Sequence, residues 1–399
     1  MTTPPGPAQP LAGLRVLDLT TFLSGPVAAR TLAELGAEVI RVEPPHGDPT
    51  RAGGGRQVGE APSDFYLALH RDRRGIDLDL KADAGRSVLH ELVAHADVLI
   101  ENFRPGVTAR LGVGYDDLAP QNPSLVYCSI TGYGPDGPAS GRPATDGAVQ
   151  AFSGLLELTG EPGALGLPLP LPVADLVAGA TAAQGVLAAL VARSQTGRGG
   201  HVDISLLEAL LGWLLVADRE RTLAPPTTLV VVARDGVALL VQTVLHFHDR
   251  LVELLVAIPG CEALATDPRF ATREQRTAHR ADYETLVRRA FVTRSGEEWL
   301  DTLVAVGIPA SRVHRIDEAL AHPQLRHGDG TIEIDVPGLG PREVLAPPFR
   351  FDGVRKTDTT PPPAIGEHNA DVLREVLGYS TDQIAALRAR GAFGAVAET

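Results

Sequence analysis

The stretch that most constrains the fold comes early. Leu14-Arg15-Val16-Leu17-Asp18-Leu19 reads as a short buried strand by its length and branched residues. Gly25-Pro26 follows, and proline is tolerated in a first helical turn. Val27 to Leu35 then has helical character, Gly36 is a natural stop, and Val39-Ile40-Arg41-Val42-Glu43 is a second strand ended by Pro44-Pro45. Strand, helix and strand in this order form a βαβ unit, the opening of a doubly wound parallel α/β sheet.

The chain continues in that rhythm. Strands are expected at Ile76–Leu80, Asp97–Glu101, Leu125–Ile130 and His201–Ile204. Helices are expected at Ala84–His95, Asp146–Leu156, Leu176–Ser194 and Leu206–Val216. Gly53-Gly54-Gly55 lies in a long polar loop, and long loops in compact domains are often functional. Composition shifts after Asp218, where Arg219 to Pro226 reads as a linker. Leu229 to Thr243 reads as a hairpin on Asp235-Gly236, a pair suited to a type I′ turn. Ser295-Gly296-Glu297-Glu298 is a capping box before Trp299 and Leu303. This segment is a second, smaller α+β domain. Strands are expected again within 331–352, and terminal helices at Asn369–Leu377 and Ser380–Arg390.

One boundary stands out chemically. Pro168-Leu169-Pro170-Leu171-Pro172 cannot be helical, because each proline fixes φ and pushes its predecessor to extended backbone. Directly after it, Leu176, Ala180, Ala183, Leu187 and Leu190 recur at helical spacing. Asp175 therefore stands at the mouth of a helix. It is either an N-cap or a carboxylate kept ionised by the helix dipole and available as a nucleophile.

Several function classes lose support. A formal net charge of -13 argues against nucleic acid as a partner. The opening βαβ unit invites a nicotinamide oxidoreductase, with Glu43 as the ribose-binding acid. Yet Leu23-Ser24-Gly25-Pro26-Val27 carries one glycine where G-x-G-x-x-G needs three. There is no phosphate loop of the G-x-x-x-x-G-K-[ST] type and no G-x-S-x-G elbow. The twelve histidines do not combine with Cys or carboxylates in a ligand pattern, so no metal is expected. Cys128 and Cys261 read as reduced thiols of a cytoplasmic protein. The residues from Met1 to Pro10 lack the features of a signal peptide, and no apolar run suggests a membrane span.

Arg41 ends a strand on the edge where doubly wound sheets bind ligands, and Asn102-Phe103-Arg104 ends another. Arg110 is a turn further on. These are either solvated surface charges or an anion site in which arginine forks meet phosphate and Phe103 stacks on a base.

The ordered set Leu14–Leu19, Ser24-Gly25-Pro26, Leu35–Glu43, Glu101-Asn102-Phe103-Arg104-Pro105-Gly106, Thr131-Gly132-Tyr133-Gly134, Val173-Ala174-Asp175 and Thr196-Gly197-Arg198-Gly199 resembles the class III CoA-transferases, the CaiB/BaiF family. The likeness continues through Asp267–Ala271 and Gly366-Glu367-His368, nearly the whole chain. It implies a Rossmann-like large domain made of both chain ends (1–218 and 331–399), a linker and small α+β domain (219–330), and an interlocked homodimer. It also implies Asp175 as the catalytic aspartate, and coenzyme A held by Arg41, Leu78, Lys81, Asn102, Phe103 and Arg110. The expected reaction moves CoA from an acyl-CoA to a carboxylic acid through aspartyl anhydride and thioester intermediates. Backbone N–H groups at the helix start after Asp175 are one candidate source of oxyanion donors, and the sequence does not name the donors.

The same family contains α-methylacyl-CoA racemases, the alternative within it. They use a His beside an acid, where this chain has Pro143-Ala144-Thr145-Asp146. Thr145 cannot exchange a proton near neutral pH. It also departs from the aromatic common in the transferase branch. Leu23 stands where formyl-CoA transferases carry glutamine, which points to a less polar acyl pocket. A CoA-binding protein without chemistry is the remaining alternative.

Overall fold

The structure is a computed structural model, and it describes residues 9–53, 63–159, 165–215, 228–242 and 246–394. The linker expected at Arg219–Pro226 and Gly54-Gly55 of the glycine run lie outside the described residues. The chain divides into two units, Met1–Leu215 with Gly328–Thr399, and Val216–His327.

The first unit is built on six parallel strands: β1 (Arg15–Asp18), β2 (Glu38–Glu43), β3 (Arg73–Asp77), β4 (Val98–Glu101), β5 (Val126–Thr131) and β6 (Gly200–Ser205). Their spatial order is β3-β2-β1-β4-β5-β6, so the winding reverses between β1 and β4. Such a reversal opens a crevice beyond the carboxyl ends of those two strands. Leu17, Ile40, Leu99 and Tyr127 face a core shared with the helix Asp83–Val93 and the terminal helices Asn369–Leu377 and Thr381–Ala389. Val16, Val39, Ile100 and Cys128 face the opposite layer, made by the helices Ser24–Glu34, Val173–Thr196 and Leu206–Leu214. The alternation along each strand sends successive side chains to the two layers. A further hairpin, Thr331–Val336 with Gly340–Leu345, joins the first unit, and Leu67 packs against its Ile334 and Val336.

Two features of this unit differ from expectation. β3 begins at Arg73, earlier than Ile76–Leu80 suggested, and Leu78 and Leu80 lie in the loop beyond it. A charged residue in a buried strand hides the strand from hydrophobic pattern. Arg73 is tolerated there because its guanidinium meets Asp18 at 2.5 Å. Second, the helix Val173–Thr196 is long and apolar enough, by length and composition alone, to cross a membrane, contrary to the sequence expectation. In the fold its Ala174, Val177, Ala178, Ala182, Ala183 and Val186 are buried in the core.

The second unit holds β7 (Thr228–Val232), β8 (Ala238–Gln242) and β9 (Ala310–Arg312) in an antiparallel sheet. Leu229, Val231, Leu239 and Val241 pack on Tyr283, Phe291, Trp299 and Leu303. The capping box is present, with Ser295 Oγ accepting from Glu298 N–H at 3.3 Å and Glu298 accepting from Ser295 N–H at 2.7 Å. The β7–β8 turn is not type I′: Gly236 has φ +83° but Asp235 is not left-handed.

Candidate active site

Asp175 lies in the first turn of the helix Val173–Thr196. Pro172, not Asp175, occupies the N-cap position, so the capping role considered for Asp175 does not hold. A carboxylate free of capping duty is available for something else. Its own N–H donates to Asp146 Oδ2 at 3.1 Å, and Leu176 N–H donates to Pro172 O at 3.0 Å. The two backbone donors nearest Asp175 are thus engaged, so this helix start offers neither of them to an oxyanion.

The facing element is the N-terminus of the helix Ser24–Glu34. Gly179, one turn below Asp175, lets the two helices meet. A Cβ there would lie 2.4 Å from Ser24 O and 2.7 Å from Val27 Cβ. The close approach brings Ser24 near Asp175, where its hydroxyl and N–H act on the carboxylate electrostatically. Burial and then the charge of Asp146 push the Asp175 pKa up to about 6, while the Ser24 hydroxyl and N–H act to lower it. No cation joins Asp175 in a salt bridge among the described residues. A half-buried carboxylate, ionised near neutral pH and neutralised by no cation, is a competent nucleophile.

Asp146 itself opens the helix Asp146–Phe152, and its Oδ1 accepts from the Gln150 side chain. Gln150 Oε1 in turn accepts from Leu169 N–H at 3.0 Å, which ties down the proline-rich approach to Asp175. Thr145 is the N-cap of this helix, with its hydroxyl accepting from Ala148 N–H at 3.4 Å. Leu23 is buried with Val27 and Leu69, against Phe65 and Leu176.

The loop that carries Ser24 also borders a cleft. Leu19 and Thr21 after β1, Val42 to His46 at the end of β2, Leu78 to Lys81 after β3, and Phe103, Val107 and Leu111 after β4 enclose about 440 Å³. It lies at the carboxyl ends of the strands and includes the reversal between β1 and β4. Thr21 and Ser24 are three residues apart, so at most about 11 Å of chain separates the cleft from Ser24, the residue that faces Asp175.

The residues singled out from sequence fall into three groups. Leu78, Lys81 and Phe103 line the cleft. Asn102 stands behind it, with Oδ1 accepting from Thr21 N–H at 2.8 Å and Nδ2 donating to Thr21 O at 2.7 Å. Arg110 is exposed on the short helix Val107–Leu111, whose Val107 and Leu111 line the cleft. Arg41 does not join them. Its side chain is fully buried, and its guanidinium binds Asp18 at 3.1 Å and Asp48 at 2.7 Å. In this geometry it offers no exposed nitrogen to a phosphate, unlike the role implied by resemblance.

Ser24, Asp146, Asp48 and Glu101 were not among the expected site residues. Glu101 ends β4 and accepts from Phe103 N–H at 2.8 Å, so it sets the ring's backbone. Burial raises its pKa to about 7, against bonds from Ser129 and Phe103. The signal available in sequence was position alone, since each lies at a strand end, a helix start or the loop beyond a strand.

A second cavity of about 520 Å³ opens at the amino ends of β2 and β3, beside Arg74, Lys356 and His368. Arg74 is paired with Glu38 and Glu375, and Lys356 with Asp72 and Asp358, so these cations are already neutralised. Among the described residues no cluster of three or more His, Cys, Asp or Glu is placed to hold a metal ion.

Comparison with known proteins fits this geometry. The family model for CoA-transferase family III matches residues 11–369. A human succinyl-CoA:glutarate CoA-transferase is 30% identical over 96% of this chain and 90% of its own length. An acetyl-CoA:oxalate CoA-transferase of Acetobacter aceti is 36% identical over 81% of this chain and 85% of its own. A crystal structure of a CaiB/BaiF family protein from Brucella suis superposes with a TM-score of 0.79 at 31% identity, covering 92% of this chain and 100% of that one. With its parallel sheet, its strand-end cleft and this match along nearly its whole length, the chain belongs to CoA-transferase family III.

Proposed function

We propose that this CoA-transferase works through Asp175 as a covalent nucleophile, with CoA lying in the cleft at the reversal of the sheet. The observation that carries the reading is the carboxylate beside Ser24: half-buried, free of any ion pair among the described residues, and a few residues of chain from the cleft.

Asp175 attacks the thioester carbonyl, the C–S bond breaks, and a mixed anhydride and CoA thiolate form. The thiolate then attacks the aspartyl carbonyl. The donor acid leaves, and CoA is carried on Asp175 as a thioester. The acceptor carboxylate attacks that thioester, giving a second anhydride and the thiolate. Attack of the thiolate on the acceptor's acyl carbon yields the new acyl-CoA and restores the Asp175 carboxylate. Negative charge on each tetrahedral intermediate is met at the first turn of the helix Ser24–Glu34, where the Gly25 N–H lacks an intrahelical partner. Lys81 and Arg110 would meet CoA phosphates, and Phe103 the adenine.

Leu23, Phe65, Leu69 and Leu176 make an apolar wall next to Asp175, which favours an acid with an apolar chain. Thr145 is engaged as a helix cap and has no proton to exchange near neutral pH, so racemisation gains no support. The family resemblance points to an interlocked homodimer. Exposed Leu211, Trp213 and Leu215 in the first unit are consistent with a covered apolar face. A cytoplasmic location is part of this proposal and rests on the sequence reading of Cys128 and Cys261 as reduced thiols.

The test is isotopic. A single turnover with an acceptor acid labelled with ¹⁸O in both carboxylate oxygens must leave one ¹⁸O in Asp175, seen by mass spectrometry of its peptide. Transfer without label in that peptide would rule out the aspartyl route.

A further inference from the structure

Behind the loop that joins β1 to the helix Ser24–Glu34 lies a buried set of charges: Asp18, Arg41, Asp48 and Arg73 have fully buried side chains. Ion pairs of this kind seldom add net stability relative to apolar residues of the same size. Their geometry has a direction, however, and it leads to the loop. Asp18 Oδ1 accepts from Thr20 N–H at 3.0 Å and from the Thr20 hydroxyl. Asp18 Oδ2 holds Arg41 at 3.1 Å and Arg73 at 2.5 Å. Arg73 reaches onward to Pro26 O at 2.7 Å. Arg41 holds Asp48 Oδ2 at 2.7 Å, and the same oxygen accepts from Phe22 N–H at 3.3 Å. The loop is therefore fixed at its start, middle and end by one network.

The middle contact matters most. Phe22 has φ +61°, a left-handed conformation that a bulky residue adopts only when its surroundings impose it. Phe22 is 59% exposed, so side-chain packing does not impose it. The backbone bond to Asp48 restrains it, next to the Asn102 clamp on Thr21, and Ser24 follows two positions later. Asp48 is in turn anchored, through Oδ1 to Thr50 N–H at 2.7 Å and through its own N–H to Glu43 at 2.9 Å.

We propose that Arg41 and Asp48 are positioning residues of the transfer reaction: they hold Phe22 left-handed and thereby aim the Ser24 N–H and hydroxyl at Asp175. Arg41 acts through Asp48 and the loop, without touching CoA. The inference rests on Asp175 being the nucleophile.

The experiment compares wild type with Asp48→Asn and Arg41→Lys. Asp48→Asn keeps the shape and removes the charged oxygen shared by Arg41 and Phe22. Four quantities are read: kcat, KM, the dissociation constant for free CoA by calorimetry, and the rate of covalent adduct formation by rapid-quench mass spectrometry. Both variants should lose about 10²-fold in kcat and adduct rate, the scale of a misplacement near 1 Å, with CoA affinity within twofold of wild type. Arg41→Lys should lose less than Asp48→Asn, because a lysine can still reach one carboxylate. A tenfold loss of CoA affinity with kcat unchanged would overturn the proposal and return Arg41 to the ligand. So would an adduct rate within threefold of wild type. Absence of any adduct in wild type would instead overturn the Asp175 reading.

Should the buried variants fail to fold, the exposed residue gives the same answer. Phe22→Gly and Phe22→Val both remove the ring, but only glycine accepts φ +61° without strain. The glycine variant should turn over at least tenfold faster than the valine variant. Equal rates would show that the backbone conformation held by Asp48 is irrelevant.

Discussion

Two groups of carboxylates stand near the same edge of the sheet, and they live in opposite conditions. Asp18, Glu43 and Asp48 are buried and saturated by Arg41, Arg51 and Arg73. Burial alone would raise the Glu43 pKa, yet the Arg51 bond and the charge of Arg41 outweigh it and hold the carboxyl below its usual range. Asp175 is half-buried, lies near another carboxylate, has no cation paired with it among the described residues, and is pushed up to about 6. The first group is locked into geometry. The second is left with reactivity. A doubly wound sheet brings both together because its strand ends and the loops beyond them converge at one edge.

This contrast can be broken by exchanging what each group lacks. The largest effect should come from Asp175→Ala, which should lower transferase kcat by on the order of 10³-fold or more while folding normally. A retained rate would mean that the unpaired carboxylate is not the reactive one.

The second effect is structural. Asp18→Ala strands two buried guanidinium groups and should cost about 3–5 kcal/mol in a denaturant titration. A loss within about 1 kcal/mol would show that the paired group is not fixing the fold.

Asp175→Asn should have the opposite sign. The Asp175 pKa is raised in the folded state, so its contribution to stability is fully present below the unfolded value near 4. That contribution is lost as pH rises through about 6. The neutral variant should therefore be more stable than wild type at pH 8, by about 1–2 kcal/mol after allowing for solvent screening. The gain should vanish near pH 4, and paired thermal melts at the two pH values check both halves.

The smallest effect concerns the neighbour. Ionised Asp175 is the attacking form, so kcat/KM should fall below about pH 6. Asp146→Asn removes the nearby charge and should move that acidic limb down by about one pH unit. An unmoved limb would assign the raised pKa to burial alone.

The apolar frame of the molecule was legible in the sequence because Leu17, Ile40, Leu99 and Cys128 lie in runs whose hydrophobicity reports their burial. The strand at Arg73 was not, since a buried ion pair cancels a charge that pattern reading counts as exposed. The same cause hid the pairing of Arg41: sequence shows a cation at a ligand-binding edge, and only the fold shows Asp18 and Asp48 beside it. Asp175 was visible as a carboxylate at a helix mouth, but its freedom from capping depended on Pro172 taking the N-cap position. The Ser24 contact is set by Gly179 four residues beyond Asp175, a tertiary approach that no local pattern records.

The most direct test of the nucleophile is intact-protein mass spectrometry after mixing with a panel of acyl-CoAs, wild type beside Asp175→Ala, with hydroxylamine added to half of each sample. The account predicts a hydroxylamine-sensitive adduct on wild type and none on the variant, with the acyl-CoA that gives it naming the donor class. An adduct that survives in Asp175→Ala, or rapid transfer with no adduct on wild type, would contradict it.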